Sequence, residues 1–162
     1  PSGTDSDLCG EPRERPIPID SAANAWALTP DDGPIFGERI ERYSDDDRVS
    51  ALLEQPLETP CTFTQNDGTR WRTEELESLE LGDRARVFLV TSLDRPDSFN
   101  YEVAVVSGDV VVLAVLNTRR PNRELLDELV RIAWSKAVRE GVVDDHGSDP
   151  TGLGARAQDS ET

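Results

Sequence analysis

Two cysteines are the residues whose type and spacing most directly imply chemistry. Cys9 and Cys61 are the 2 cysteines of the chain, and such a distant pair makes neither a four-ligand zinc site nor a CxxC redox pair. A structural disulfide, formed in an oxidising compartment, is the favoured interpretation. It would attach the polar N-terminal segment to the domain. Because closing a loop of this length lowers the entropy of the unfolded chain, the bond would add about 4 kcal/mol to the free energy of unfolding. Two unrelated reduced thiols are the alternative.

No other set of residues forms a catalytic or metal-binding motif. His146 is the 1 histidine and lies in an acidic tail, so a Ser-His-Asp or Cys-His arrangement in the core is not expected. The aspartates 45–47 fit the start of a helix better than a metal site, because adjacent helical side chains point in different directions. No phosphate-binding loop, HExxH or EF-hand pattern occurs. We therefore predict no catalytic residue, no metal and no cofactor; the alternative in the enzyme class is a hydrolase that uses carboxylates alone.

Three tryptophans are candidates for contact with a ligand or a partner. Trp134 falls close to the apolar stripe of a long predicted helix, which favours a place in the core. Trp26 follows a stretch of small residues at 21–25, and Trp71 lies in a predicted strand. Trp26 and Trp71 are therefore the predicted ligand or partner contacts.

The charge balance excludes several classes of partner. The chain of 162 residues has 33 acidic residues against 17 Lys and Arg, a formal net charge of −16. A phosphate backbone attracts clustered Lys and Arg, so nucleic-acid binding is not expected of so acidic a surface. Anionic lipid is disfavoured for the same reason, and no run approaches the roughly 18 apolar residues of a membrane span.

The first residue and the basic residues bear on the origin of the chain. Met is absent, even at position 1, which indicates a processed product that has lost a signal peptide, a lipid-attachment segment or a membrane anchor. Lys136 is the single lysine among 17 basic residues, and this preference for arginine suggests a GC-rich coding sequence. Salt adaptation is a second explanation of the acidity, which the composition leaves open.

Short helices are predicted before residue 56. Pro34 suits a first helical position, and Phe36 and Ile40 recur at helical spacing, so residues 34–42 are expected to be helical. Ser44 can cap a second helix that ends near residue 55.

A hairpin and three further strands are predicted to follow. The predicted strands are 61–64, 69–73, 84–93, 99–106 and 110–117. A turn signal at 66–68 joins the first two, and the acidic stretch 74–80 is expected to be a partly helical connection. The last strand is apolar on both faces, which places it centrally in the sheet.

A long helix closes the predicted domain. Asn122 can cap it, a broad apolar stripe runs along it, and Gly141 is a natural stop. The predicted fold is α+β with two layers, an antiparallel sheet of about five strands packed against the long C-terminal helix, with short N-terminal helices. We expect a polar N-terminal segment at 1–20, one domain at 21–142 and a disordered acidic tail at 143–162.

Short motifs give this arrangement a resemblance to a known class of proteins. Leu81-Gly82-Asp83 precedes two strands, and Val105–Leu113 is a strand, turn and strand that leads into the final helix. Cys9-Gly10 and Thr59–Phe63 resemble the paired cysteines of a lipoprotein family. Over about half its length the chain resembles small secreted domains and lipoproteins of actinobacteria, including the extracellular sensor domains of membrane Ser/Thr kinases. Kinase sensor domains of this type usually carry further cysteines, whereas this chain has 2.

The resemblance implies an extracytoplasmic, non-enzymatic domain that binds or senses an unidentified ligand. It would be secreted or held at the cell surface, contacting the membrane only through an anchor that precedes Pro1. The alternative is a cytoplasmic, salt-adapted accessory protein with reduced cysteines, whose stability would rise with salt because screening relieves self-repulsion. The sequence leaves the oligomeric state open.

Overall fold

An antiparallel sheet carries the fold, and a long helix packs against one of its faces. The computed structural model describes residues 2–6, 8–29, 33–45, 49, 54 and 56–143. The elements are β1 (Ser2–Ser6), β2 (Pro12–Pro16), β3 (Asp20–Ala27), β4 (Ile35–Arg42), β5 (Cys61–Thr64), β6 (Arg70–Leu76), β7 (Arg84–Ser92), β8 (Phe99–Ser107), β9 (Val110–Thr118) and α1 (Arg123–Arg139).

The strands form two sheets of very different size. Within the described residues, β1 and β2 pair as a two-stranded ribbon, and the other seven strands form one sheet in the order β3-β4-β9-β8-β7-β6-β5. Every pair of neighbours is antiparallel. The predicted hairpin β5–β6 and the meander β7–β8–β9 are confirmed, and β9 lies in the interior of the sheet, between β4 and β8.

The core lies between α1 and the face of the sheet that α1 covers. Alternate residues of β7, β8 and β9 point to this face, because side chains along a strand have a period of two. Val87, Val105 and Val112 are among the buried residues there, and they belong to one cluster with Leu126 and Trp134 of the helix. Fully burying each such side chain contributes about 1.5–3 kcal/mol. The predicted packing of the long helix against an antiparallel sheet and the core position of Trp134 are confirmed.

The ends of α1 follow the predicted signals. The side chain of Asn122 accepts a hydrogen bond from the backbone N–H of Leu125 at 3.1 Å, which satisfies one of the free donors of the first turn. The backbone N–H of Asn122 in turn donates to the hydroxyl of Tyr101 on β8, also at 3.1 Å. Gly141 has a positive φ of 68°, a conformation that ends a helix with no steric penalty for glycine.

We call the face of the sheet opposite α1 the second face, which carries Asn100 and Glu102 of β8. A smaller apolar cluster covers one end of it and consists of buried Tyr43, Val49, Val106 and Val111. The predicted second helix falls mostly outside the described residues, although Val49 and Glu54 within it are helical. The rest of the second face is only partly covered.

The predicted helix at 34–42 is wrong, because this stretch is strand β4. Burial alternates from Ile35 to Arg39, with Phe36 and Glu38 buried on the face toward α1. Phe36 and Ile40 are four residues apart, an even spacing that keeps two side chains on one face of a strand as well as of a helix. Pairing on both edges, with β3 and with β9, selects the strand.

The predicted number of strands is also wrong for the described residues, because the sheet has seven strands rather than about five. β3 and β4 are the two additional strands. The acidic stretch 74–80 was expected to be a partly helical connection, but β6 continues through it as far as Leu76. Its pairing with β7 continues as far as Leu76↔Val87, and Arg86 on β7 donates two hydrogen bonds of 2.8 Å to the carboxylate of Glu75.

The predicted domain boundaries remain predictions. Residues 2–6 and 12–16 of the N-terminal segment form the ribbon β1–β2. The predicted tail lies outside the described residues except for Val143, which is buried in the core.

Candidate functional site

A disulfide joins the N-terminal segment to the edge of the sheet. Cys9 is bonded to Cys61 at the start of β5, and their Cα atoms are 5.8 Å apart. The preceding carbonyl, that of Leu8, accepts a hydrogen bond from the hydroxyl of Thr73, whose residue is fully buried on β6. The predicted disulfide is confirmed. Its consequence is that residues 8–10 are held over the second face.

A hollow of about 630 Å³ opens beside this attachment. Its lining residues come from the attached segment, the β5–β6 hairpin and the second face of β7 and β8: Leu8, Gly10, Phe63, Thr64, Gln65, Asn66, Asp67, Trp71, Val90, Asn100 and Glu102. The volume lies within the range of small-molecule sites, which is about 300–1,000 Å³. We refer to it as the Trp71 hollow.

The apolar part of the Trp71 hollow is a pair of aromatic residues. Phe63 and Trp71 are directly paired across β5 and β6. Gly10 closes over them: a Cβ at this position would lie 3.0 Å from the Cβ of Phe63, and φ is +81°. A residue with a side chain would therefore be strained there and would push against the ring. Glycine allows the disulfide segment to approach the aromatic pair closely.

The indole of Trp71 is only partly covered. Its ring lines the hollow, but its N–H is buried and has no hydrogen-bond acceptor among the described residues. Leaving a buried donor unpaired costs about 1–3 kcal/mol. The ring is therefore held by packing, and it offers the hollow a carbon surface rather than its polar edge.

The polar part of the Trp71 hollow is acidic. Asn100 and Glu102 face it from alternate positions of β8, and Asp67 faces it from the turn. The backbone N–H of Thr69 donates to Asp67 at 2.9 Å, and this hydrogen bond lowers the pKa of the exposed Asp67 carboxyl. Asp67 is therefore charged at neutral pH. The amide of Asn100, the carboxylates of Asp67 and Glu102 and the two aromatic rings suit a neutral or cationic ligand with an apolar surface. The carboxylates repel anions.

The two predicted contact tryptophans are not brought together. Trp26 lies on β3, at one edge of the seven-stranded sheet, whereas Trp71 lies on β6 near the other edge. Trp26 pairs with Phe36 and faces the side of α1, whereas Trp71 faces the second face. Trp26 is 42% exposed and stacks on Phe36 with 6.1 Å between ring centroids. They would serve different contacts.

Two shallower hollows lie elsewhere on the sheet. One of about 510 Å³ lies over β3, β4 and β9 between Ala23, Ala25, Gly37, Leu113 and Val115, together with Asn24, Glu38 and Arg39. The other, of about 340 Å³, lies at the end of the sheet around Ile35, Asn100 and Arg119. Neither contains an aromatic residue.

Metal-ligating and catalytic groups do not gather in the part of the chain that the structure describes. No group of three or more His, Cys, Asp or Glu residues there is placed to hold a metal ion. His146, Asp46 and Asp47 lie outside the described residues. The predicted lack of a metal, a cofactor and a catalytic residue therefore stays a prediction. No helix among the described residues is both long and apolar enough to cross a membrane.

Sequence reasoning identified Trp71 but missed most of its neighbours in the hollow. Asn100 and Glu102 alternate with the core residues Tyr101 and Val103, so period-two alternation could have placed them together on the opposite face. The predicted turn at 66–68 places Phe63 opposite Trp71, as observed, whereas no signal marks Gly10, because its proximity to Trp71 depends on the disulfide.

Comparison with known proteins reveals similarity at the level of the fold. No family model matches the chain, and no curated protein matches it. Among solved structures, the chain is similar to the extracellular domain of PknH from Mycobacterium tuberculosis, with a TM-score of 0.51 and 12% sequence identity. The match covers 66% of this chain and 57% of that domain. The chain therefore shares the fold of a large part of a kinase extracellular domain.

Proposed function

We propose that this protein is an extracytoplasmic, non-enzymatic domain that binds or senses a ligand in the Trp71 hollow. The observation that carries the proposal is the construction of this hollow. A disulfide holds residues 8–10 over an aromatic pair, and an amide and carboxylates lie at its side.

The disulfide supports a location outside the cytoplasm. Reducing systems keep cytosolic thiols free, whereas disulfides persist in oxidising compartments. The similarity in fold to an extracellular kinase domain supports the same location. Attachment to a membrane through a segment before Pro1, as in the actinobacterial lipoproteins that the sequence resembles, is the more specific form of the proposal.

The lining of the hollow defines the class of ligand. Phe63 and Trp71 supply apolar surface, while Asn100 and Glu102 supply a donor and acceptors. The formal charge of −16 and the carboxylates in the lining favour neutral or cationic molecules over anions.

A fragment screen by ¹⁵N NMR tests where the protein binds. We expect neutral and cationic fragments with a flat apolar face to shift the indole signal of Trp71 and the backbone signals of Asn100 and Glu102. Trp71→Ala should abolish these shifts, and Trp26→Ala, at the opposite edge of the sheet, should leave them unchanged. Fragments that shift no signal of the hollow, or that bind equally well to Trp71→Ala, would contradict the proposed site.

Thiol titration tests the compartment independently of the ligand. Protein isolated from its native source under conditions that trap thiols, then unfolded without reductant, should show no free thiol at Cys9 or Cys61. Two titratable thiols would favour the cytoplasmic, salt-adapted accessory protein instead.

A further inference from the structure

The two edges of the large sheet differ in their protection. The edge at β5 consists of only four residues, Cys61–Thr64, and the disulfide to Cys9 attaches residues 8–10 beside it. The edge at β3 consists of eight residues, Asp20–Ala27, and all eight are exposed. A long, unprotected edge strand presents a row of unpaired backbone N–H and C=O groups, which is a template for pairing with another strand.

Residues 21–27 of β3 also lack the side chains by which proteins prevent such pairing. Edge strands are commonly protected by lysine, proline, inward-pointing charges or bulges. Residues 21–27 contain none of these side chains, and Asp20 is the only charged residue of β3. The rest of the chain is highly charged, so the uncharged stretch is a local property of this edge.

Exposed apolar side chains concentrate around the same strand. The exposed large hydrophobic residues of the described part of the chain are Ile17, Ile19, Trp26, Leu28, Ile35, Leu93 and Ile132. Five of these seven fall between residues 17 and 35, on β3, on its flanks or at the start of β4. Ile17 and Ile19 precede β3, and Trp26, Leu28 and Ile35 lie at its other end, so exposed apolar side chains flank the β3 edge at both ends.

The register of β3 on β4 shows which backbone groups face outward. The N–H of Leu28 donates to the carbonyl of Pro34 at 2.9 Å, and this pair continues the register Trp26↔Phe36. Hydrogen bonds in an antiparallel ladder alternate along each strand. Even-numbered residues of β3 therefore bond to β4, and Ser21, Ala23, Ala25 and Ala27 direct their N–H and C=O groups outward.

We propose that the β3 edge pairs with the β3 edge of a second copy of this chain. An antiparallel pair with its two-fold axis at Asn24 places Ala23 opposite Ala25 and Ser21 opposite Ala27 of the second copy. The outward groups would form about eight hydrogen bonds between the chains. The two sheets become one continuous sheet, with the α1 helices on the same side of it.

The side chains of β3 fit a second copy in this register. Asn24 faces its symmetry mate, and an amide can both donate to and accept from an identical amide. Trp26 falls opposite Ala22 of the other copy, so a large side chain meets a small one. Asp20 falls opposite Leu28 rather than opposite another carboxylate. No like charges meet within the paired strands, although each copy carries −16 overall.

Sedimentation equilibrium of the complete chain tests the proposal, independently of the Trp71 hollow. Over protein concentrations from about 1 to about 500 µM, we expect the chain to sediment as a monomer–dimer equilibrium. The dimer should tighten as salt rises from low to moderate ionic strength, because screening reduces repulsion between two acidic copies. A monomer throughout this range would overturn the proposal.

A pair of substitutions at one position locates the interface. Ala23→Pro removes an outward N–H and places its ring against the second copy, while the bonds from β3 to β4 are kept. It should weaken the dimer by at least about 100-fold. Ala23→Val keeps the N–H and favours the strand, so it should leave the dimer intact. Equal loss in both variants, with both still folded by circular dichroism, would overturn the proposed pairing.

Hydrogen exchange distinguishes a second copy from other occupants of the edge. The outward amides of Ser21, Ala23, Ala25 and Ala27 should gain protection as protein concentration rises. Protection that is independent of concentration would mean that another part of the same chain covers the edge, and it would overturn the dimer. Lack of protection at concentrations where the protein sediments as a dimer would place the contact elsewhere and overturn it as well.

Discussion

Removal of the disulfide should destabilise the whole domain by a predictable amount. The double substitution Cys9→Ala and Cys61→Ala opens a loop of 52 residues, and the loop-entropy relation assigns about 4 kcal/mol to a closure of this length. Domains of this size have a total free energy of unfolding of about 5–15 kcal/mol. The loss would therefore be a large fraction of the stability.

Urea denaturation measures this loss directly. With a denaturant dependence of about 2 kcal/mol per M, the unfolding midpoint should fall by about 2 M. Reduction of the wild-type protein should give a similar fall. The comparison of the reduced protein with the double variant separates the effect of the bond from that of the two alanines.

A matched variant separates the disulfide from the packing that it holds in place. Thr73→Val keeps the shape of a fully buried side chain but removes the hydrogen bond to the carbonyl of Leu8. With the disulfide intact, Thr73→Val should lower the free energy of unfolding by about 1–3 kcal/mol, the penalty for a buried group that loses its partner.

A midpoint shift below about 0.5 M in the double variant of Cys9 and Cys61 would refute the reasoning on the disulfide. Residues 8–10 would then be attached without contributing to global stability.

Two further predictions concern a turn and an ion pair. Gly82 and Gly108 both have positive φ, but of the two only Gly82 has a neighbour that an added Cβ would meet, the carbonyl oxygen of Val106 at 2.3 Å. Gly108→Ala should therefore lower the free energy of unfolding by about 1 kcal/mol, and Gly82→Ala by at least about 2 kcal/mol more. Equal losses of the two variants in denaturation would contradict the steric argument. The hydrogen bonds from Arg86 lower the pKa of Glu75 below its ordinary value of 4.5, so the pair stabilises the fold at pH values above 4.5, and this stabilisation is lost as the pH falls through the lowered pKa. Between about pH 6 and about pH 3, the melting temperature should therefore fall less steeply in Glu75→Gln than in the wild type. Identical slopes would show that the pair is not coupled to folding.

The sequence predicted those parts of the fold whose signals are local. The β5–β6 turn, the alternation along β8 and the apolar run of β9 depend on near neighbours in the chain. The caps of α1 do so as well, since Asn122 bonds to a residue three positions away. These elements were placed correctly because burial and turn geometry leave a pattern that the residues of each segment themselves display.

β3 and β4 could not be assigned in the same way. Every residue of β3 is exposed, so it has no alternation of apolar and polar residues to read. The even spacing of Phe36 and Ile40 on β4 fits a helix and a strand equally well. Both strands are stabilised by pairing with neighbours, β4 with β9 and β3 with β4, and such pairing is not visible in either segment alone.

The residues alone determined the cysteine pair, the acidic charge and the candidate contacts Trp26 and Trp71, because these follow from residue type and from chain separation. Only the tertiary structure decided where the two tryptophans lie. The register of β6 and the disulfide place Trp71 in a hollow with Phe63, whereas the position of β3 at the end of the strand order leaves Trp26 exposed at an open edge. Both outcomes depend on contacts between segments distant in the chain. Such contacts form only when the whole domain is folded, so neither segment shows them in its own sequence.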